Sequence, residues 1–183
     1  DGQLLFEKFD LPRDRPILSS MQSTFKYMPR NDWTFAEIAA RHPEALTVLV
    51  GHMGNDSICD RLYERMRPHF AYRGLEIEQH LRILPRLDYA DYMGLFLISH
   101  HSIDTMDWNG GNSSLQAFSL NCPVVTLPTE FMRGRHTVSM LEVLELPELI
   151  AKDVDDYVAI SVRLMQDAAF YACLLYTSDA ADE

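Results

Sequence analysis

A chain of 183 residues, 47% of them hydrophobic and 23% charged, is long enough for one domain with a buried core, and it carries neither an apolar run able to span a bilayer nor a basic-then-apolar leader. Its net charge of −11, with Lys and Arg scattered, excludes a nucleic-acid binder that works by neutralising phosphates along a basic stripe. Cys59, Cys122 and Cys173 form no CxxC pair and no zinc spacing, which reads as free thiols, with Cys59 and Cys122 as small apolar fillers, in a reducing, cytoplasmic setting.

The chain opens at Asp1 without Met, inside what reads as a running helix end (Leu4, Leu5, Phe6), so it is expected to be a fragment of a longer protein. Five short apolar, β-branched runs follow, at residues 16–21, 45–51, 81–85, 102–105 and 123–127, each bounded by Pro, Gly or a polar turn. Amphipathic segments at 33–41, 57–71, 89–99, 113–120, 137–144 and 155–166 fill the gaps. This alternation predicts an α/β fold, a Rossmann-like parallel sheet with helices on both faces, and puts a βα loop after each strand on the carboxyl edge, where such sheets bind ligands. The charged run 61–67 carries Leu62 and Met66 four apart and reads as a solvated amphipathic face. Residues 173–183, CLLYTSDAADE, resemble translated sequencing adapter and are set aside as a non-native tail, leaving 1–172 as the domain; a genuine acidic tail is the alternative, and the domain is acidic either way.

The stretch 103–117, IDTMDWNGGNSSLQA, reads strand, loop, helix. Gly110 and Gly111 let the backbone turn tightly and approach a ligand, and Asn112 or Ser113 can cap the helix that follows. Unpaired N–H groups there, with the Ser113 and Ser114 hydroxyls, suit a diphosphate, although glycines before a capped helix also describe an ordinary tight turn. After the first strand, Gln22-Ser-Thr-Phe-Lys26 puts a lysine where it can reach the same anion, or else where it is simply solvated.

Gln22-x-x-x-Lys26, Leu84-Pro-Arg-Leu87, Asp104 through Ala117, Pro123-Val-Val-Thr-Leu-Pro128, Met132-Arg-Gly-Arg-His-Thr137 and Leu146-Pro-Glu-Leu-Ile150 occur in order. Over roughly residues 10–166 they resemble the C-terminal catalytic half of the O-linked N-acetylglucosamine transferase family, including SPINDLY-like and bacterial tetratricopeptide-fused members. The resemblance implies the C-terminal domain of the two-domain GT-B arrangement, with a nucleoside-diphosphate sugar, UDP-GlcNAc first among candidates, passed with inversion to a protein acceptor. It implies an absent N-terminal catalytic domain, which holds the acceptor side and any general base, and tetratricopeptide repeats; this half alone would bind donor without turning it over. By the same resemblance Gln22 and Lys26 contact the diphosphate, with Lys26 compensating charge on the leaving nucleotide. Arg86 and Leu87 recognise the base through backbone atoms, and the turn 109–113, Asn109-Gly110-Gly111-Asn112-Ser113, holds the phosphates. Gln116 stands where the family has an acid that bonds the ribose, a departure, since Gln offers one carbonyl oxygen where a carboxylate accepts two hydroxyls. Arg135 and His136 match a basic pair beside the cleft.

No metal is expected. Asp104-x-x-Asp107 has the wrong spacing for a D-x-D grip; Asp153-Val-Asp155 has the right one but precedes a helix and reads as its cap. His100 and His101 read as a helix end, where a partial negative charge favours imidazolium. Trp33, Tyr89, Tyr92 and Trp108 invite stacking on a base or sugar, with Trp108, in the loop, the best placed and Trp33 assigned to packing. Residues 128–135 form a loop able to move over a donor. Two other classes compete: a non-catalytic sugar-nucleotide-binding or scaffold module, suggested by Gln116, and a dinucleotide-dependent oxidoreductase, disfavoured because no GxGxxG follows the first strand.

Overall fold

The computed structural model describes residues 2–51 and 56–180. Five parallel strands, β1 (Ile17–Ser20), β2 (Leu46–Val50), β3 (Leu81–Leu84), β4 (His101–Ile103) and β5 (Val124–Val125), form one sheet in the order β3-β2-β1-β4-β5. Nine helices surround it among the described residues: α1 (Leu4–Lys8), α2 (Trp33–Arg41), α3 (Asp56–Tyr72), α4 (Ile77–His80), α5 (Tyr89–Ile98), α6 (Asn112–Phe118), α7 (His136–Val143), α8 (Val154–Gln166) and α9 (Ala168–Ala180). Every residue of β1 and β2 is buried, because helices cover both faces and leave no polar side. Successive side chains feed opposite cores. Leu18 and Leu49 join Phe70, Leu141 and Val158 on one face, and Ile17 and Val48 join Leu5, Leu95 and Phe96 on the other.

Each of the five apolar runs overlaps a strand and each amphipathic segment a helix, with starts displaced by at most one residue, as where β4 begins at His101 and α6 at Asn112. The last strand is two residues long, because beyond it Thr126 bridges Ile150 instead of continuing the ladder. The charged run behaves as an amphipathic face should, with Leu62 and Met66 buried. Arg65 does more than meet solvent. Its guanidinium holds the buried Asp32 carboxylate through two bonds of 2.6 and 3.0 Å and donates to the Tyr27 carbonyl at 2.6 Å, pinning the connection after β1. At the amino edge of the sheet, Arg15 donates to the carbonyls of Glu44, Ala45 and Gln79 at 2.7 to 2.9 Å, tying together the entries to β1, β2 and β3.

One reading changes. Helix α5 closes at Ile98 with Ser99 as its C-cap, so His100 and His101 lie beyond it, and His101 opens β4 fully buried. Burial pushes its imidazole well below the usual histidine range, with His100 adding to the effect, so it is neutral. Helix α9 spans residue 172, with Leu174 packed in the core and the Tyr171 hydroxyl donating to the His100 carbonyl at 2.7 Å. No single helix among the described residues is long and apolar enough to cross a membrane.

Candidate functional site

Between β1 and β4 the strand order reverses, so the connections from these neighbours leave toward opposite faces and open a crevice at their carboxyl ends. Two loops meet there. The first follows β1, where Gln22 is buried and a 3-10 turn, Thr24–Lys26, folds the lysine back over the strand end. Tyr27 anchors that turn from below, its hydroxyl donating to the Ser20 carbonyl at 2.6 Å. The second loop, 104–111, follows β4. Lys26 Nζ donates to Gln22 Oε1 at 2.8 Å and across to the Asn109 carbonyl at 3.0 Å, while Gln22 Nε2 donates to Ser113 Oγ at 2.7 Å. The ammonium and the glycine turn, 83 residues apart in the chain, therefore share one pocket rim. Both Lys26 acceptors are neutral oxygens, and no carboxylate lies within ion-pair distance among the described residues. Burial lowers the pKa of Lys26 and the nearby Asp104 opposes that shift. The arrangement presents a partly dehydrated cation with one donor to spare.

The glycine turn works differently from the expectation. Neither Gly110 nor Gly111 has a positive φ. Gly110 is required for space: a Cβ there would lie 2.4 Å from Ser114 Oγ, 2.5 Å from Ser113 Oγ and 2.7 Å from Gln22 Nε2. At Gly111 nothing lies within 4 Å of such an atom. Helix α6 starts at Asn112, one residue early, with Gly111 as N-cap and no side-chain cap bond, so neither Asn112 nor Ser113 caps it; Ser113 is engaged by Gln22 instead. Asn109 is buried and its side-chain amide folds back onto the Thr105 carbonyl at 2.8 Å, so what it offers the site is its backbone oxygen.

Two clefts flank Lys26 and Gln22. One, about 400 Å³, is lined by Gln22, Arg86, Leu87, Tyr89, Tyr92 and Gln116. Burial pushes the Tyr92 hydroxyl up to about 12, leaving it a neutral donor to the Met21 carbonyl. The other, about 430 Å³, is an open aromatic shelf of Phe25, Lys26, Met28, Trp108, Phe131 and Arg133, joined by Arg30 and Asp107. Trp108 is 43% exposed, meets Phe25 edge-on at 5.5 Å between centroids and lies 5.8 Å under both the Lys26 ammonium and the Arg133 guanidinium. Arg135 and His136 line neither cleft. They begin α7, and the basic residue of that loop that reaches the site is Arg133, whose carbonyl accepts from Asn109 N at 2.7 Å and whose Nε donates to the Asp107 carbonyl at 3.3 Å. Sequence spacing gave no hint of this, because the Met132–Gly134 3-10 turn decides which of two neighbouring arginines points inward.

Asp104, set aside as a metal ligand, is the buried group beneath the site. Its Oδ1 accepts from Gly110 N at 2.8 Å and its Oδ2 from Thr137 Oγ1 at 2.5 Å and Thr126 Oγ1 at 3.3 Å, yet burial outweighs these bonds and raises its pKa to about 6. The folded chain therefore binds this proton more tightly than the unfolded one. Stability from the group is complete below the unfolded value near 3.8 and is lost as pH rises through about 6, a change of about 3 kcal/mol. Urea unfolding of the native chain and Asp104→Asn at pH 4 and pH 7.5 measures it: the native chain loses stability relative to the variant on going up in pH, and a constant difference refutes the assignment. Asp153 of the D-x-D pair caps α8, its Oδ1 accepting from Asp156 N at 2.8 Å, and no cluster of three or more metal-ligating side chains occurs among the described residues.

Comparison with known proteins gives a consistent result. Residues 97–176, which include β4, the glycine turn and α6 to α8, match the model of glycosyl transferase family 41. A UDP-N-acetylglucosamine–peptide N-acetylglucosaminyltransferase of Caenorhabditis elegans is 39% identical over 66 residues, 36% of this chain and 6% of that protein. A probable enzyme of the same description, SPINDLY of Arabidopsis thaliana, is 28% identical over 110 residues, 60% of this chain and 12% of its own length. Among solved structures, an O-GlcNAc transferase mutant of Thermobaculum terrenum superposes with a TM-score of 0.81 at 25% identity, over 91% of this chain and 31% of the other. The chain thus spans less than a third of each of these three proteins, and its sheet and helices have the fold of the C-terminal domain of GT-B glycosyltransferases.

Proposed function

We propose, from a chain whose residues 97–176 match the model of glycosyl transferase family 41, that this domain holds the nucleotide-sugar donor, UDP-N-acetylglucosamine, of an inverting transferase acting on protein acceptors. The observation that carries the reading is the bonded path from Asn109 through Lys26 and Gln22 to Ser113 across the β1/β4 crevice. A diphosphate laid over it would take the remaining Lys26 donor and the backbone donors of Gly111 and Asn112. The nucleoside would occupy the cleft of Arg86, Leu87 and Gln116, with the exposed Tyr89 ring at its rim, and the sugar would point toward Trp108.

Bond cleavage at the anomeric carbon sends negative charge onto the leaving diphosphate, and a cation already stripped of part of its water stabilises that charge without reorganising. Lys26 supplies on this reading what a divalent metal supplies in other transferases, so the reaction is metal-independent. The acceptor and its base would come from an N-terminal domain facing the crevice, with tetratricopeptide repeats for protein recognition, and Cys59 and Cys122, outside any disulfide, suit a cytoplasmic enzyme. The presence of Gln116 in the nucleoside cleft favours a second reading, a binding module without turnover.

Thermal unfolding with UDP and with GDP, in EDTA, tests the proposal. UDP at a hundred times its dissociation constant adds about 2.7 kcal/mol, roughly 5 to 10 °C for a chain of this size, and GDP adds less. No shift from either nucleotide would overturn the reading; turnover by the full-length protein separates the enzyme from the module.

A further inference from the structure

Among the described residues no cation forms an ion pair with the Asp104 carboxylate, and Lys26 acts on it only through space. The carboxylate accepts from Gly110 N and the Thr137 and Thr126 hydroxyls, while the Asp104 backbone oxygen accepts from the Tyr157 hydroxyl at 2.7 Å and its backbone N–H donates to the Val125 carbonyl at 2.9 Å. A buried charge without a paired cation is expensive, and hydrophobic replacements would serve packing better. What the carboxylate does here is specific: one oxygen holds the amide of the residue that has no room for a Cβ, and the other reaches Thr137, which bonds Ser114 Oγ at 2.9 Å at the start of α6. The two oxygens thus fix both ends of the turn whose exposed side meets Gln22 and Lys26.

We infer that Asp104 is the positioning residue of the donor site, setting the Gly110–Ser114 turn in register with Lys26 without touching the ligand. The inference rests on the proposed nucleotide-binding reading. Position and charge separate cleanly in two variants. Asp104→Asn keeps an acceptor for Gly110 N and a partner for the Thr137 hydroxyl while discarding the charge, whereas Asp104→Ala takes away the side-chain acceptor of the buried Gly110 amide and of the Thr126 hydroxyl and the shortest bond of Thr137. Lys26, Tyr27 and Tyr157 are the titratable groups around the carboxylate; burial raises both phenols, so neither ionises near neutrality.

Two measurements on this chain decide it. By calorimetry with UDP at pH 7.5, Asp104→Asn binds at least as tightly as the native chain and Asp104→Ala binds roughly tenfold more weakly or worse. In the nucleotide-free protein, the NMR resonance of the Gly110 amide shifts as pH is taken through about 6 and stays fixed in Asp104→Asn. Equal affinities for the native and Ala forms, or an Asn form as weak as the Ala form, overturns the inference. If Asp104→Ala does not fold, Thr137→Val takes its place, with several-fold weaker binding expected and native affinity overturning. Should the native chain bind neither UDP nor GDP, the functional reading fails by itself, and an unresponsive Gly110 amide still sinks the role given to Asp104.

Discussion

The Gly110→Ala chain shows no stabilisation by UDP at concentrations that saturate the native protein, and its own transition falls by several degrees. The added methyl needs space occupied by Ser113 Oγ, Ser114 Oγ and Gln22 Nε2. Ser114 cannot give way, being buried and bonded to Thr137, so the strain of about 1–3 kcal/mol falls on Ser113 and Gln22, the two groups that join the loops. Gly111→Ala is the control for folding alone, since nothing stands within 4 Å of its new atom, and without UDP it melts within about 0.5 kcal/mol of the native chain. Differential scanning fluorimetry of the pair, with and without UDP, reads both effects. Equal behaviour of the two variants would show that crowding at Gly110 does not govern the site.

Removing the cation has the other large consequence. Lys26→Met keeps most of the side chain's bulk and discards its charge and its bonds to Gln22 and Asn109. A charge-assisted bond to a phosphate is worth about 1.5–3 kcal/mol, up to roughly a hundredfold in affinity. At the UDP concentration that gave about 2.7 kcal/mol before, the variant at that upper limit gains only about 0.4 kcal/mol. In the full-length protein the same change lowers kcat by about 10²–10³-fold, because the stabilisation grows as the bond breaks. Isothermal titration and steady-state kinetics measure the two parts, and a variant that binds UDP as the native chain does would remove Lys26 from the site.

Strands and helices were legible because apolar runs bounded by Pro and Gly, alternating with amphipathic stretches, leave few folds open. The order β3-β2-β1-β4-β5 was not, since pairing between β1 and β4 joins segments some 80 residues apart. Gln22, Lys26 and Ser113 could be singled out in the sequence, and the structure brings them together. Asp104 was passed over because a lone acid after a strand has no spacing to betray it; its partners Gly110, Thr126 and Thr137 come from three other places in the chain. The histidine pair misled for a related reason. Two residues past a helix end are indistinguishable in sequence from the end itself, and here the chain had already turned into a buried strand. Arg133 was overlooked in favour of Arg135 because a single 3-10 turn reverses which of them faces the aromatic shelf.

The Arg15 clamp and the Lys26 crevice stand at opposite ends of the same five strands. Cohesion of the sheet is secured at the rim where the strands begin, and the candidate site is gathered at the rim where they finish. If the finishing rim holds the donor as proposed, its loops are free to drift toward other sugars or bases while the anchoring rim keeps the scaffold intact, so that a change of specificity need not be a change of architecture.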